Sequence, residues 1–394
     1  MDKKNNLKNQ ISIFNSDQSI EIQSITYILN LTIPTFILLI SSIFKDFILT
    51  AELGIVIGIN IILTQIFSSN SRSILISKKN NFLIRDIFVY RIFVSIIIIF
   101  CNVFIYSIFN FENNILLYQI SLIILLQWIN EIILTYHEIN KKLKVFIFFL
   151  VPSLVFILMI ICDYYFFNNL NYIFYAYILF LVIFLIINSI NLIFLKKNIH
   201  YKNIINLIFV NNSFYSSFSV SSANIVWRLS IYNFCEKTFA GILFASFAVG
   251  SLPGTIFNNS FGPTIVKDKI SLKRISKRYL LGIFFSLNFV LFFITLINKD
   301  KIFDDPLITQ IFVTSISIFA SILMIYGQYA RQVLIHSKFQ NLTFKIDVIY
   351  SFIIASIVPL LYLLGSEKLV SISFIVSSFS SFIIYNIVKN KLKI

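Results

Sequence analysis

The chain has 394 residues, of which 58% are hydrophobic and 12% charged, and its mean hydropathy is +0.87. That is about half the charge of an average soluble domain, which excludes a soluble enzyme. The net charge of +15 suggests a nucleic-acid partner at first sight, but the basic residues follow a membrane topology, so no nucleic acid is expected.

A bilayer core of roughly 30 Å takes about 20 apolar residues of helix. Twelve stretches meet that length: 24–43, 47–67, 87–109, 114–135, 144–162, 169–195, 210–232, 238–258, 279–297, 307–328, 346–364 and 369–388. Mostly polar residues precede the first, and no small-x-small cleavage site follows it, so it reads as an uncleaved anchor. The sixth is long enough to tilt or to extend into the cytoplasm. Pro34, Pro152 and Pro253 fall in spans one, five and eight. They mark expected bends, because a proline frees a carbonyl that must find another partner.

With the N-terminus placed inside, only Lys45, Lys237, Lys299, Lys301 and Lys368 fall in outer loops. Arg228 lies within a span, and the remaining 26 of the 32 Lys and Arg, including Arg91 and Arg331, belong to inner segments. This is the positive-inside rule, and it puts both termini in the cytoplasm. The Ile, Asn, Lys and Phe bias matches an AT-rich microbial genome. The expected location is therefore the cytoplasmic (inner) membrane of a bacterium or archaeon.

The outer loops are short, and the longest runs over about 298–306. No segment has room for a nucleotide-binding domain, and no G-x-x-x-x-G-K-[ST] occurs, so no ATP site is expected. The energy source would be an ion gradient. Cys101, Cys162 and Cys235 have no metal-ligand spacing, and nothing argues that Cys162 pairs with Cys235. His137, His200 and His336 all fall on the cytoplasmic side, so no histidine relay is expected at mid-membrane. No cofactor or metal is implied.

The basic, polar stretch Lys196-Lys197-Asn198-Ile199-His200-Tyr201-Lys202-Asn203 divides the spans into two sets of six. The expected fold is an all-α polytopic membrane protein with about 12 transmembrane helices. They form two six-helix lobes around a central cavity: an N-terminal lobe over 1–195, a cytoplasmic linker over 196–206 and a C-terminal lobe over 207–394. Each half starts and ends inside, so the halves would be parallel repeats, and rocking of one against the other would give alternating access. After span eight, Ile265 to Arg278 mixes Ile270, Leu272 and Ile275 with six basic residues. It reads equally as an amphipathic helix on the anionic inner leaflet and as a solvated loop.

An ionisable group in the membrane is a functional candidate, because it costs at least ~2.5–3.5 kcal/mol at mid-bilayer. Arg228 heads the candidates. Its span also carries Asn211, Asn212, Ser213, Ser216, Ser217, Ser219, Ser221, Ser222 and Asn224. Such a helix is too polar to face lipid all round, so it lines a wet cavity or packs through its small residues. A guanidinium there can hold a phosphate bidentately. Arg228 also lies near the outer interface beside Trp227, where a snorkelling anchor is the competing reading. Glu52, at similar outer depth, is interfacial or pairs with Arg228 across the cavity. Asn30 and Asn60 add polar positions on spans one and two. Glu131 could face inward with Gln127 and either Tyr118 or Asn130 and carry a coupling proton. The competing reading pairs it with Lys141 or Lys142.

The stretch from Trp227-Arg228-Leu229-Ser230-Ile231-Tyr232 through Ala240-Gly241-Ile242-Leu243-Phe244-Ala245 to Gly250 and Gly262-Pro263 resembles spans seven and eight of the Wzx-type polysaccharide flippases. These O-antigen or repeat-unit translocases belong to the multidrug/oligosaccharidyl-lipid/polysaccharide (MOP) superfamily. The segment from Glu52-Leu53-Gly54 to Ser71-Arg72 is similar to their span two and the loop after it. The architecture resembles theirs over the whole chain, the motifs over about a quarter.

The resemblance implies a cargo, a polyprenyl-pyrophosphate-linked oligosaccharide flipped from the inner to the outer leaflet for surface polysaccharide or lipopolysaccharide synthesis. It also implies a polysaccharide polymerase and chain-length proteins as partners. Arg228 matches a cationic cavity residue of that family by type and region. Few other intramembrane cations accompany it, which suits a neutral glycan whose charge is its pyrophosphate. An ion-coupled drug or metabolite antiporter of the same superfamily is the second expectation. A membrane glycan polymerase is a more distant third, because it would need a large outer loop.

Overall fold

The computed structural model describes residues 26, 29, 30, 32–68, 75, 81–109, 111, 114–140, 142–166, 170–193, 212–256, 280–335, 337 and 340–392. The linker expected at 196–206 and the segment 265–278 lie outside the described residues.

Twelve α-helices account for nearly all the rest, and no strand occurs among the described residues. They are α1 (Thr32–Ile43), α2 (Phe47–Ser68), α3 (Asn81–Phe109), α4 (Asn114–Ile139), α5 (Leu143–Phe166) and α6 (Leu170–Ile193) in the first half. In the second half are α7 (Asn212–Phe234), α8 (Lys237–Ile256), α9 (Leu280–Ile297), α10 (Pro306–Ile335), α11 (Gln340–Val370) and α12 (Ser373–Lys391). Seven of them are long and apolar enough to cross a membrane by length and composition. At ~1.5 Å rise per residue, the 22 residues of α2 reach about 33 Å, enough for the hydrocarbon core.

The helices match the expected spans closely, with one systematic difference. Helices α3, α10 and α11 run several residues past their apolar stretches, so Arg85, Arg331 and Lys345 are helical rather than loop residues. Hydropathy marks where lipid ends, not where backbone hydrogen bonding ends. Pro34, Pro152 and Pro253 sit inside α1, α5 and α8, and Pro359 inside α11. Helix α11 breaks at Gly365–Ser366, where Ser366 has φ 69° and ψ −175°. That break is the turn expected between spans eleven and twelve.

Within the first half, α2 packs on α4, α4 on α3 and α6, and α5 on α6. Within the second, α7 packs on α11, α8 on α10, α10 on α9 and α12, and α11 on α12. Helix α2 joins the halves by packing on both α7 and α8. It is accordingly buried over most of its length, whereas α3, α5 and α6 leave most of their residues at least partly exposed. Phe93, Phe100, Phe104, Leu158 and Leu179 lie on this outward, lipid-suited surface.

Glycine sets how closely these helices approach. A Cβ on Gly54 would overlap the Phe244 ring, one on Gly241 the Phe47 carbonyl, and one on Gly250 the Ser317 side chain. Close packing through small residues is what drives helix association where no hydrophobic effect operates.

Contacts between the halves gather at the end where α2, α4, α8 and α10 begin. Gln310 Nε2 donates to Ser42 Oγ at 2.5 Å. The Tyr232 ring lies 5.9 Å from Phe109 and 6.3 Å from Phe111, edge-on to both. Both glycine contacts with α2 and α8 fall at the same end.

Candidate site at the junction of α2, α7 and α8

Helix α7 distributes its polar residues over two neighbours. On the face towards α11, Ser219 Oγ donates to Ser351 Oγ at 2.9 Å, and Ser216 meets Asp347 and Arg331. On the face towards α2 stands Arg228. One guanidinium nitrogen donates to the Gly54 carbonyl at 2.8 Å. Its carbon lies 5.7 Å from the centre of the Phe244 ring on α8, within cation–π range. The distal end of the side chain, Cδ with the guanidinium Nε and Cζ, fills the notch left by Gly58, where a Cβ would overlap it. Trp227, next along, turns to α8, its ring 5.2 Å from Phe247. Three helices from both halves thus converge on one partly exposed cation.

The three other arginines among the described residues, Arg85 and Arg91 buried and Arg331 largely so, each meet a carboxylate. Arg85 pairs with Asp86 at 2.9 Å. Arg91 on α3 pairs with Glu131 on α4 at 2.8 Å, donates to the Trp128 carbonyl, and lies 4.8 Å from the Trp128 ring. Arg331 on α10 holds Asp347 on α11, with Nε 3.1 Å from Oδ1 and a terminal nitrogen 2.9 Å from Oδ2. Ser216 and Tyr385 also donate to the Asp347 carboxylate. Asp347 and Tyr385 are fully buried, so this cluster ties α7, α10, α11 and α12 together. Arg228 is different, because what it meets is a backbone carbonyl and an aromatic face.

The other residues singled out from the sequence take these places. Glu52 is buried on α2, and no ion pair joins it to Arg228. It stands six positions before Gly58, the position that faces Arg228, and so about 120° around the helix from it. Asn60 donates to Ser121 Oγ at 3.0 Å and accepts from Asn102 at 2.8 Å, bonding α2 to α3 and α4. Asn30 donates to the Gln127 carbonyl at 3.4 Å. Ser216 belongs to the Asp347 cluster rather than to the Arg228 site. Asn224 is partly exposed on α7, and the side chain of Asn212 lies outside the described residues. Glu131 meets Arg91 rather than Lys142. Its neighbour Asn130 turns to α6 and donates to the Leu181 carbonyl, so the two do not share a face.

Asp347 was missed from the sequence, although it is a carboxylate inside an expected span, which is the very signal that singled out Glu131. Arg91 and Arg331 were counted with the inner loops.

No family model matches the sequence, and no curated protein matches it. The fold does have solved counterparts. One is described as the inward-facing conformation of a multidrug resistance MATE family transporter of the MOP superfamily. It superposes with a TM-score of 0.56 at 12% identity, over 94% of this chain and 95% of that one. Another, the outward-facing conformation of such a transporter, gives 0.51 at 11% identity over 95% and 96%. The described residues therefore have the all-helical fold of these MATE transporters.

Proposed function

We propose that this chain is a flippase that carries polyprenyl-pyrophosphate-linked oligosaccharide repeat units from the inner to the outer leaflet by alternating access. A sugar headgroup cannot cross hydrocarbon unaided, since each unsatisfied polar group costs several kcal/mol. A polar path between two lobes, open sideways, lets the polyprenyl tail remain in lipid. The carrying observation is Arg228. It is the partly exposed arginine that no carboxylate neutralises among the described residues, and it stands where the halves meet. A cation left unneutralised there suits an anionic cargo such as a pyrophosphate. The reading takes the short-loop end as extracytoplasmic, 1–195 and 207–394 as the lobes, an ion gradient as the energy source, and a prokaryotic cytoplasmic membrane as the location.

The second reading is an ion-coupled small-molecule antiporter, favoured by what the structural counterparts are described as carrying. Extraction of lipid-linked oligosaccharides from a deletion strain separates the two. The flippase reading expects the glycan to accumulate in the cytoplasmic leaflet and surface glycan to disappear. Arg228→Ala should reproduce that loss at normal protein level. Normal glycan levels and sidedness in the deletion strain would leave the antiporter.

A further inference from the structure

We infer that Arg228 is a latch that the cargo itself releases. The inference rests on the flippase reading and adds to it a coupling between cargo binding and opening. Arg228 belongs to α7 in the second half, and its acceptor, the Gly54 carbonyl, to α2 in the first. The bond therefore crosses the seam between the halves. It sits at the end where Ser42–Gln310, Phe109–Tyr232 and Phe47–Gly241 also close that seam. Opening this end moves α2 away from α7 and α8, so the bond must break on opening.

A guanidinium carries five N–H donors in a planar fork, and the bond to Gly54 uses one. The acceptor is a single neutral carbonyl. A phosphate offers paired anionic oxygens matched to the fork, and hydrogen bonds between charged partners are roughly twice as strong as neutral ones. Either acceptor can hold Arg228, but the anion holds it better. Phe244 covers one face of the guanidinium and Gly58 makes room for its Nε edge, while the side chain stays partly exposed, so an anion can reach the remaining donors before the bond to Gly54 breaks. An arriving pyrophosphate thus takes the guanidinium from Gly54, and the seam loses a polar tie when, and only when, the site is loaded. The three arginines already held by carboxylates gain far less from such an exchange.

The test uses the full chain in phosphatidylcholine nanodiscs, with Cys101, Cys162 and Cys235 replaced and spin labels at Lys45→Cys and Lys237→Cys. Lys45 lies in the turn just before α2, and Lys237 starts α8, both at the short-loop end. Distance distributions are recorded with polyprenyl pyrophosphate, with polyprenol and with inorganic pyrophosphate, and binding is read by native mass spectrometry. The latch predicts a shift to longer distances with polyprenyl pyrophosphate and none with polyprenol. A shift with inorganic pyrophosphate as well supports the latch and makes the anion alone the trigger. Arg228→Gln, which removes both the charge and the fork, should lose the response. Binding without any shift overturns the latch and leaves the cargo reading standing, as does a wild-type response from Arg228→Gln. Failure of polyprenyl pyrophosphate to bind overturns both.

Discussion

Replacing Asp347 with Asn keeps the side-chain shape and removes one charge from the cluster in the second half. Asp347 is fully buried and accepts from Arg331 at 2.9 and 3.1 Å, from Ser216 and from Tyr385. The Asn amide nitrogen cannot accept, so it would face a donor across a short gap, and Arg331 would lose its counter-charge. Removing one partner of a buried ion pair costs about 3–5 kcal/mol. The Arg331 side chain keeps 15% of its surface exposed, which puts the expectation near the lower end, about 3 kcal/mol. Asn60→Leu is the internal standard. It removes neutral interhelical hydrogen bonds, which average about 0.6 kcal/mol each in a membrane. Both are measured as unfolding free energies by titration with sodium dodecyl sulfate in mixed micelles, followed by circular dichroism. The double replacement Arg331→Leu with Asp347→Leu should recover most of the loss, because apolar substitution of a whole buried pair is often neutral. If Asp347→Asn costs no more than Asn60→Leu, the cluster does not tie the four helices together.

Gly241→Ala should push α2 from α8, because the added carbon meets the Phe47 backbone carbonyl, which cannot rotate away. A loss of about 1–3 kcal/mol is expected, along with a longer Lys45–Lys237 label distance without cargo. Gly254→Ala, whose nearest neighbour is the flexible Met324 sulfur at 2.9 Å, should leave that distance unchanged. Glu131→Gln leaves the buried Arg91 without its counter-charge and should cost about 3 kcal/mol in the same titration. A loss no larger than that of Asn60→Leu would mean that the pair does not tie α3 to α4.

The spans were legible because hydrocarbon imposes a length, and even the break in α11 at Gly365–Ser366 fell where the apolar run stopped. The polarity of α7 was legible for the same reason, since serine and asparagine stand out against isoleucine. What the sequence hid was pairing. Ser216 and Asp347 lie 131 positions apart, and nothing local says that their helices touch. Glu131 looked towards lysines nearby in sequence, whereas its partner lies 40 positions back on α3. Arg228 was legible as a cation in the membrane. That it would meet Gly54, and not Glu52 two positions earlier, depends on the rotation of α2 about its own axis, which a uniformly apolar helix does not reveal.

The exposed faces of α3, α5 and α6 carry a consequence for how such a chain ages. Hydrocarbon asks of those positions only that they be greasy, and any isoleucine, leucine, valine or phenylalanine will answer. The outer wall can therefore be rewritten by neutral drift, letter after letter, with no packing partner to object. The positions that resist drift are few and scattered: the notches at Gly54, Gly58, Gly241 and Gly250, and the buried arginines with their acceptors. Two descendants of one ancestor could keep this architecture intact while their spelling diverges until little common text remains.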